Sequence, residues 1–434
     1  MTIQATAQWW IRTDGDDDNG GGFDSGISGA GTNYSDQATA QLDLTDLATA
    51  SAGSTTLTSV TGGFTPAMIG NCVKIRSGTN VTNGYYFITA YTDTNTVTID
   101  RACDNGGGGL SGGSGRLGGA WRDIETTLST QAIVLGNSVA SPLIAGHQVN
   151  LRGTGQEDGT TTDYEFTNYR FFPSGTLSTP IKIIGYNGRP VIRGSSGYTG
   201  TLYFYQMSGY IFENVKCICN GTDNGVHAMI NFNSGGVGYV YNCIFDANGF
   251  NVLLLNGSCL KCNFKNSGSP AACTGAGINQ AWNGFCTGNK FDLGNTSTAI
   301  TSLNMSTVDS NLIIGGDYGI RFTNASTYTH NARNNIFYNT TTGIEINSNP
   351  ASAMFNIFSG CTTAIQQNNS TYPRKFHSNA FYNCGTNHSD SGNSSGDIIL
   401  TADPFVNAAG GDFNLNATNG GGAVLRSTSI NLGS

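Results

Sequence analysis

A three-residue phrase returns through the second half of the chain at nearly constant spacing. It reads Asn289-Lys290-Phe291, Asn311-Leu312-Ile313, Asn335-Ile336-Phe337, Asn356-Ile357-Phe358 and Asn379-Ala380-Phe381. The asparagines step by 22, 24, 21 and 23 residues. Between them runs a second ladder, Ile300, Ile320, Ile344 and Ile365, with steps of 20, 24 and 21. A period in the low twenties built from short apolar runs defines a solenoid, because no single unit can bury its own apolar face. The runs alternate and are β-branched or aromatic, so they predict strands. Leucine-rich repeats share the period but need several leucines and a helical return in each unit, and neither is present. What remains is an all-β parallel β-helix. Each period makes one coil, and like residues stack at a spacing of about 4.8 Å. Asparagines stacked at a coil corner can then hydrogen-bond along the axis.

The rest of the chain divides by composition. Residues 1–53 read as an arm, polar apart from Trp9 and Trp10, with an acidic run from Asp14 to Gly22. That run lacks the sixth-position glycine and twelfth-position glutamate of a calcium loop. Two indoles on a segment with no core of its own need a surface to dock on, which makes Trp9 and Trp10 candidate attachment residues. Residues 54–103 read as a small β module, with alternation at Thr56–Val60, Val73–Ile75, Phe87–Thr89 and Thr96–Ile99. Residues 104–134 form a glycine-rich linker followed by a helix, with Trp121, Ile124 and Leu128 on one face. Such a helix would cap the open end of the solenoid. Residues 135–434 hold the β-helix and a closing segment.

Several function classes are excluded. With 20 Lys and Arg against 28 Asp and Glu, the net charge is −8, and no basic stripe is present, so no nucleic-acid partner is expected. No apolar run reaches the roughly 18 residues of a membrane span, and the N-terminus has no signal-like core. The 11 cysteines lie mostly within strand phrases and read as buried, reduced thiols. The Cys217-Ile218-Cys219 and Cys259-Leu260-Lys261-Cys262 spacings lack nearby histidines to complete a metal site. No nucleophile elbow and no phosphate-binding loop appears. No cofactor is called for.

Resemblance adds to this reading. Pro180–Tyr186 and Pro190–Gly194 resemble the opening coils of right-handed parallel β-helix proteins of the pectate-lyase-like superfamily. Asp403–Asn407 with Gly411–Leu415 resembles their closing segment. The 54–102 module resembles one that precedes β-helices in phage virion proteins.

Alternation assigns the outward positions. If the phenylalanine column points inward, then Leu312, Ile336, Ile357 and Ala380 form an outward apolar stripe, which predicts a subunit interface in a homotrimer. A loop of the same chain could cover it instead. The isoleucine ladder is flanked outside by Thr301, Arg321, Glu345 and Gln366, with Arg321 and Glu345 close enough to pair. The candidate catalytic column is Asp246, Lys265 and Asp292, which follow Phe245, Phe264 and Phe291. Its two carboxylates would lie about 9.6 Å apart, at the upper end for an inverting glycosidase, and a polysaccharide lyase would pair such carboxylates and calcium with a basic residue. Only nine carboxylates fall between 201 and 400, and no long insertion walls a cleft. Trp282, in the Ser267–Cys286 loop, could stack on a sugar.

With the phage attribution resting on the resemblance alone, these features lead to an expectation of a non-enzymatic virion protein of a tailed phage, a capsid decoration or spike assembled in the host cytoplasm. Its partners would be itself and the major capsid or tail proteins. The alternative is a carbohydrate-active tailspike or polysaccharide lyase or glycosidase acting on surface polysaccharide. A third possibility is a self-assembling surface filament.

Overall fold

The computed structural model describes residues 6–122 and 143–427, apart from 156–162, 167–169, 172–175, 177, 195–203, 208, 219–229, 233–237, 249–253, 256–257, 268–275, 281–284, 293, 295–296, 303–306, 324–328, 348–349, 369–373 and 391–393. The fold is a right-handed parallel β-helix, with smaller antiparallel sheets beside the parallel ladders. The chain separates into two compact units, one made of Met1–Phe166, Arg170–Ile192 and Phe204–Val215, the other mainly of Lys216–Ser434.

In the first unit the expected boundaries shift. The antiparallel module is a six-stranded sheet that recruits Leu42–Leu47 from the supposed arm and Ser111–Leu117 from the supposed linker. The linker reading failed because its glycines are strand residues. A Cβ on Gly115 would sit 2.7 Å from the Lys74 carbonyl oxygen, so the close strand approach requires glycine. Leu44, Leu57, Phe64, Val73, Ile75, Ile88, Val97 and Leu117 form the core of the module.

Nor is the N-terminal segment an arm. Gln8–Ile11 pairs in parallel with Gln148–Arg152, which pairs in turn with Ile181–Tyr186. The first rung of this parallel ladder therefore comes from the N-terminus rather than from Gly146 onward. Trp9 is fully buried: it stacks on Trp121 at 4.8 Å, meets Tyr85 and Phe87 edge-on, and donates its indole N–H to His147 Nδ1 at 3.1 Å. Trp10 is also buried. Neither indole is available as an attachment residue, because both are core side chains of their own unit. The acidic run is pinned as well, with Arg116 on Asp16 at 2.6 Å, Arg122 on Asp17 at 3.5 Å and Arg76 on Asp18 at 3.3 Å. Trp121 bridges to Ile11, while Ile124 and Leu128 of the expected capping helix lie outside the described residues.

The second unit holds the repeats. Three parallel ladders climb it, beginning at Lys216–Ile218, Ile230–Phe232 and Gly238–Tyr241. The inward column Phe245, Phe264, Phe291, Ile313, Phe337, Phe358 and Phe381 is fully buried. Its rings stack almost parallel: 5.0 Å from Phe245 to Phe264, and 4.7 Å both from Phe264 to Phe291 and from Phe337 to Phe358.

One backbone device turns each coil into the ring-bearing strand. The residue before each phrase adopts positive φ: Lys261 (53°), Ser310 (55°), Asn334 (56°), Phe355 (58°) and Ser378 (56°), with Gly288 and Gly396 at the same station. That conformation costs a non-glycine residue about 1 kcal/mol or more, and after Ser310, Asn334, Phe355 and Ser378 the asparagine that follows compensates. Asn289, Asn311, Asn335 and Asn356 each donate Nδ2–H to the Oδ1 of the next ladder asparagine at 2.9–3.0 Å. That same Oδ1 also accepts the donor's own backbone N–H at 3.0–3.1 Å.

The apolar stripe meets a different fate from the one expected. After the last coil the chain forms an antiparallel pair, Phe405–Asn407 with Asp412–Leu415, and a short helix, Gly422–Arg426. Phe405, Ala408 and Leu425 pack with Ile357, Ala380 and Leu400, while Ile336, Tyr338 and Phe413 join at the margin. Ile357 and Ala380 are completely buried by their own chain, and Leu312 is half-buried. At Ile336, Ile357 and Ala380 the face expected to require a companion subunit is covered by the closing segment.

Candidate active site

The stacked phenylalanines place the charged column in register. Asp246 lies beside Lys265 on adjacent parallel strands, and Lys265 lies beside Asp292. Two residues earlier on the same strands, Ile244, Asn263 and Lys290 form a second outward column. The face is therefore a patch three strands wide and two side chains deep. It carries two lysines and two carboxylates, and ring stacking behind it sets its spacing.

Its members are not equivalent. Asp246 is 3% exposed, and its Oδ1 accepts the Asn248 backbone N–H at 3.0 Å, the Ser267 N–H at 2.9 Å and the Ser267 hydroxyl at 2.8 Å. It fixes its own turn and clamps the next coil two residues beyond Lys265. Lys265 and Lys290 are half-buried, and Asp292 is exposed. Among the charged members of the patch, the lysines and Asp292 keep exposed surface and Asp246 does not, so Asp246 positions rather than reacts. Among the described residues no group of three or more His, Cys, Asp or Glu converges as a metal site.

Two further charged pairs lie elsewhere on the unit. Arg321 meets Glu345 at 2.6 Å, as their flanking positions implied. The Glu345 carboxylate also accepts from Asn347 and Asn368, each at 3.1 Å, and Arg321 lies over the Tyr318 ring at 4.2 Å. This network leaves Glu345 buried and fully engaged. Asp309 pairs with Arg333 at 3.0 Å and takes Asn334 Nδ2 at 3.1 Å. Both read as ties between coils. Trp282 and Cys219 lie outside the described residues. Asp246, Lys265 and Asp292 stand on neighbouring strands as the sequence column implied, whereas sequence reasoning gave Lys290 no place in the site. The signal for Lys290 was its position two residues before Asp292 on a strand whose neighbour carries Lys265.

No protein-family model matches this sequence, and no curated protein matches it. Solved structures do. The pectate lyase Pel9A aligns over 69% of this chain and 85% of its own, at 14% identity and a TM-score of 0.46. A mannuronic-acid-specific family 6 polysaccharide lyase from human gut microbiota aligns over 64% and 68%, at 17% identity and a TM-score of 0.40. The catalytic domain of a GH87 α-1,3-glucanase aligns over 82% and 88%, at 10% identity and a TM-score of 0.36. At these identities the likeness is one of fold.

The expectation of a non-enzymatic virion protein is not upheld. Solved structures that share its fold include lyases and glycoside hydrolases. Both features that had suggested attachment and assembly, the tryptophans and the apolar stripe, are satisfied within the chain itself.

Proposed function

We propose that this chain cleaves an acidic polysaccharide by β-elimination on the face built from Ile244–Asp246, Asn263–Lys265 and Lys290–Asp292. The observation that carries the reading is the register of Lys265 between Asp246 and Asp292, with Lys290 on the adjacent strand. An acidic sugar chain laid across this face meets two lysines on neighbouring strands. In the proposed step the Lys265 amine removes the proton from the carbon bearing the sugar carboxylate. The C–O bond to the leaving sugar then breaks, a C=C bond forms, and the leaving oxygen takes up a proton from solvent. Lys290 faces the carboxylate, where negative charge builds up, and Asp246 holds the coil beyond Lys265 in place. The lyases and glycoside hydrolases that share the fold are consistent with a polysaccharide substrate.

The test is to incubate the full chain with uronate polymers of differing sugar and linkage while following the near-ultraviolet absorbance of the unsaturated product. Lys265→Ala should reduce the rate at least 100-fold with circular dichroism unchanged. New reducing ends without unsaturation would refute the elimination step in favour of hydrolysis. Failure to cleave any uronate polymer would overturn the proposal.

A further inference from the structure

Three pairs of cysteines occupy matching stations on consecutive coils. Cys259 and Cys286 are Cα partners on adjacent parallel strands. Cys243 and Cys262 each stand one residue before the paired Ile244 and Asn263, and Cys361 and Cys384 each stand two residues after the paired Ser359 and Tyr382. A small apolar residue would fill any of these stations equally well, so burial alone does not call for sulfur in pairs. The Cys259–Cys286 pair is the best defined. Its sulfurs are 3.3 Å apart, both residues are fully buried, and their strands meet in register. In-register parallel neighbours lie about 4.8 Å apart, inside the 4.4–6.8 Å Cα range that a disulfide spans.

We propose that Cys259 and Cys286 form a cross-coil disulfide when the chain folds in the presence of a low-molecular-weight disulfide such as oxidised glutathione. One thiolate attacks the glutathione disulfide, releasing one glutathione thiol and leaving a mixed disulfide on the protein. The second cysteine then displaces the other glutathione. Two protein thiols lose two electrons and two protons, and one glutathione disulfide becomes two thiols. Once the coils close, both sulfurs are inaccessible, and burial pushes the Cys259 thiol pKa well above its ordinary value. The folded reduced protein therefore resists oxidation, so the bond forms while the coils are still assembling. The bridge would tie the two coils that carry Lys265 and Lys290.

The experiment refolds the full chain from denaturant in a glutathione redox buffer and, in parallel, in excess reductant. Free thiols are trapped by alkylation under denaturing conditions, and the products are mapped by mass spectrometry. The expected result is a cross-linked peptide pair containing Cys259 and Cys286, absent under reductant, with a melting temperature several degrees above that of the reduced protein. Quantitative alkylation of both cysteines after oxidative refolding would overturn the proposal. So would a bridge from either cysteine to a different partner. Because peptide mapping reads the natural sequence, the result does not depend on a variant's ability to fold. Cys286→Ser should leave Cys259 alkylatable while the other pairs keep their behaviour.

Discussion

Replacing Asn335 with leucine tests whether the asparagine ladder holds the coils together or merely fills their corner. Asn335 is fully buried and makes four side-chain hydrogen bonds. Its Oδ1 accepts the Asn311 backbone N–H at 3.0 Å and Asn311 Nδ2 at 2.9 Å, and its Nδ2 donates to the Val308 carbonyl and to Asn356 Oδ1, each at 3.0 Å. Leucine has similar volume, so the cavity contribution is small and hydrogen bonding dominates. Asn311 Nδ2 keeps the Cys286 carbonyl at 2.9 Å, and Asn356 Oδ1 keeps the Asn335 backbone N–H at 3.0 Å. The Asn311 N–H loses its partner altogether, which costs about 1–3 kcal/mol in a buried site. Three further bonds lost at roughly 0.5–1 kcal/mol each, less about 1 kcal/mol for leucine's better transfer from water, give a destabilisation of about 2–5 kcal/mol. The assay combines denaturant unfolding with hydrogen exchange at Asn311 and neighbouring amides, because a solenoid can open locally before it unfolds as a whole. Faster exchange should concentrate on the coils from 311 to 356. A loss below about 1 kcal/mol with unchanged exchange at Asn311 would refute the argument and leave the ring stack as the dominant tie.

Other predictions address the remaining parts of the structure. Ile357→Asp places a carboxylate beneath the closing segment, so limited proteolysis should cut within 405–426 at least tenfold faster than in the parent, and an unchanged rate would mean that the segment is held elsewhere. Trp9→Ala removes a buried indole stacked on Trp121 and should cost about 3–5 kcal/mol, read from the melting of the first unit by tryptophan fluorescence. His330 is buried against Phe322 at 4.7 Å, and burial lowers its pKa from 6.5 to about 4. The unfolded chain binds a proton near pH 6.5 and the native state only near 4, so stability is complete above pH 6.5 and falls as pH drops toward 4, by on the order of 3 kcal/mol. His330→Phe should flatten the stability–pH curve in that window.

The parts of the fold that were legible in the sequence depend on identity repeating at one station. Phe291, Phe337, Phe358 and Phe381 recur because the coils superpose, and the same rule put Asp246, Lys265 and Asp292 side by side. What alternation cannot convey is what covers an outward face. Ile357 points outward by period, but only the fold-back of Phe405 and Leu425 shows that it is core. The glycines of Ser111–Leu117 misled in the opposite direction, since a residue chosen for close approach looks the same in composition as one chosen for freedom. Trp9 lay beyond reach for a third reason. Its partners Trp121 and His147 are more than a hundred residues away, and no periodicity connects them.

The asparagine ladder is directional, and its two ends explain where the candidate site lies. Each amide donates toward the next coil, so the last needs an acceptor with nothing to donate. Asp397 supplies it, with Oδ1 taking the Asn379 N–H at 2.9 Å and Oδ2 meeting His388 Nε2 at 2.8 Å. At the other end the ladder opens at Asn289, whose Oδ1 accepts the Cys262 N–H at 2.8 Å, and the same station on the two preceding coils carries Cys262 and Cys243. A thiol cannot replace the amide's paired bonds, so the coils bearing Asp246 and Lys265 have fewer polar ties through their core than those above. Asp246 makes up the deficit from outside by gripping Ser267. Asp246→Asn keeps an oxygen able to accept all three bonds and removes only the charge, whereas Asp246→Ala removes the grip. If Asp246 acts by position, the asparagine variant should retain cleavage within about threefold and the alanine variant should lose about 10- to 100-fold, matching the sensitivity of catalysis to ångström-scale misplacement. Equal losses in both would show that the carboxylate charge beside Lys265 matters in its own right, and the division of labour between Asp246 and Asp292 would have to be redrawn.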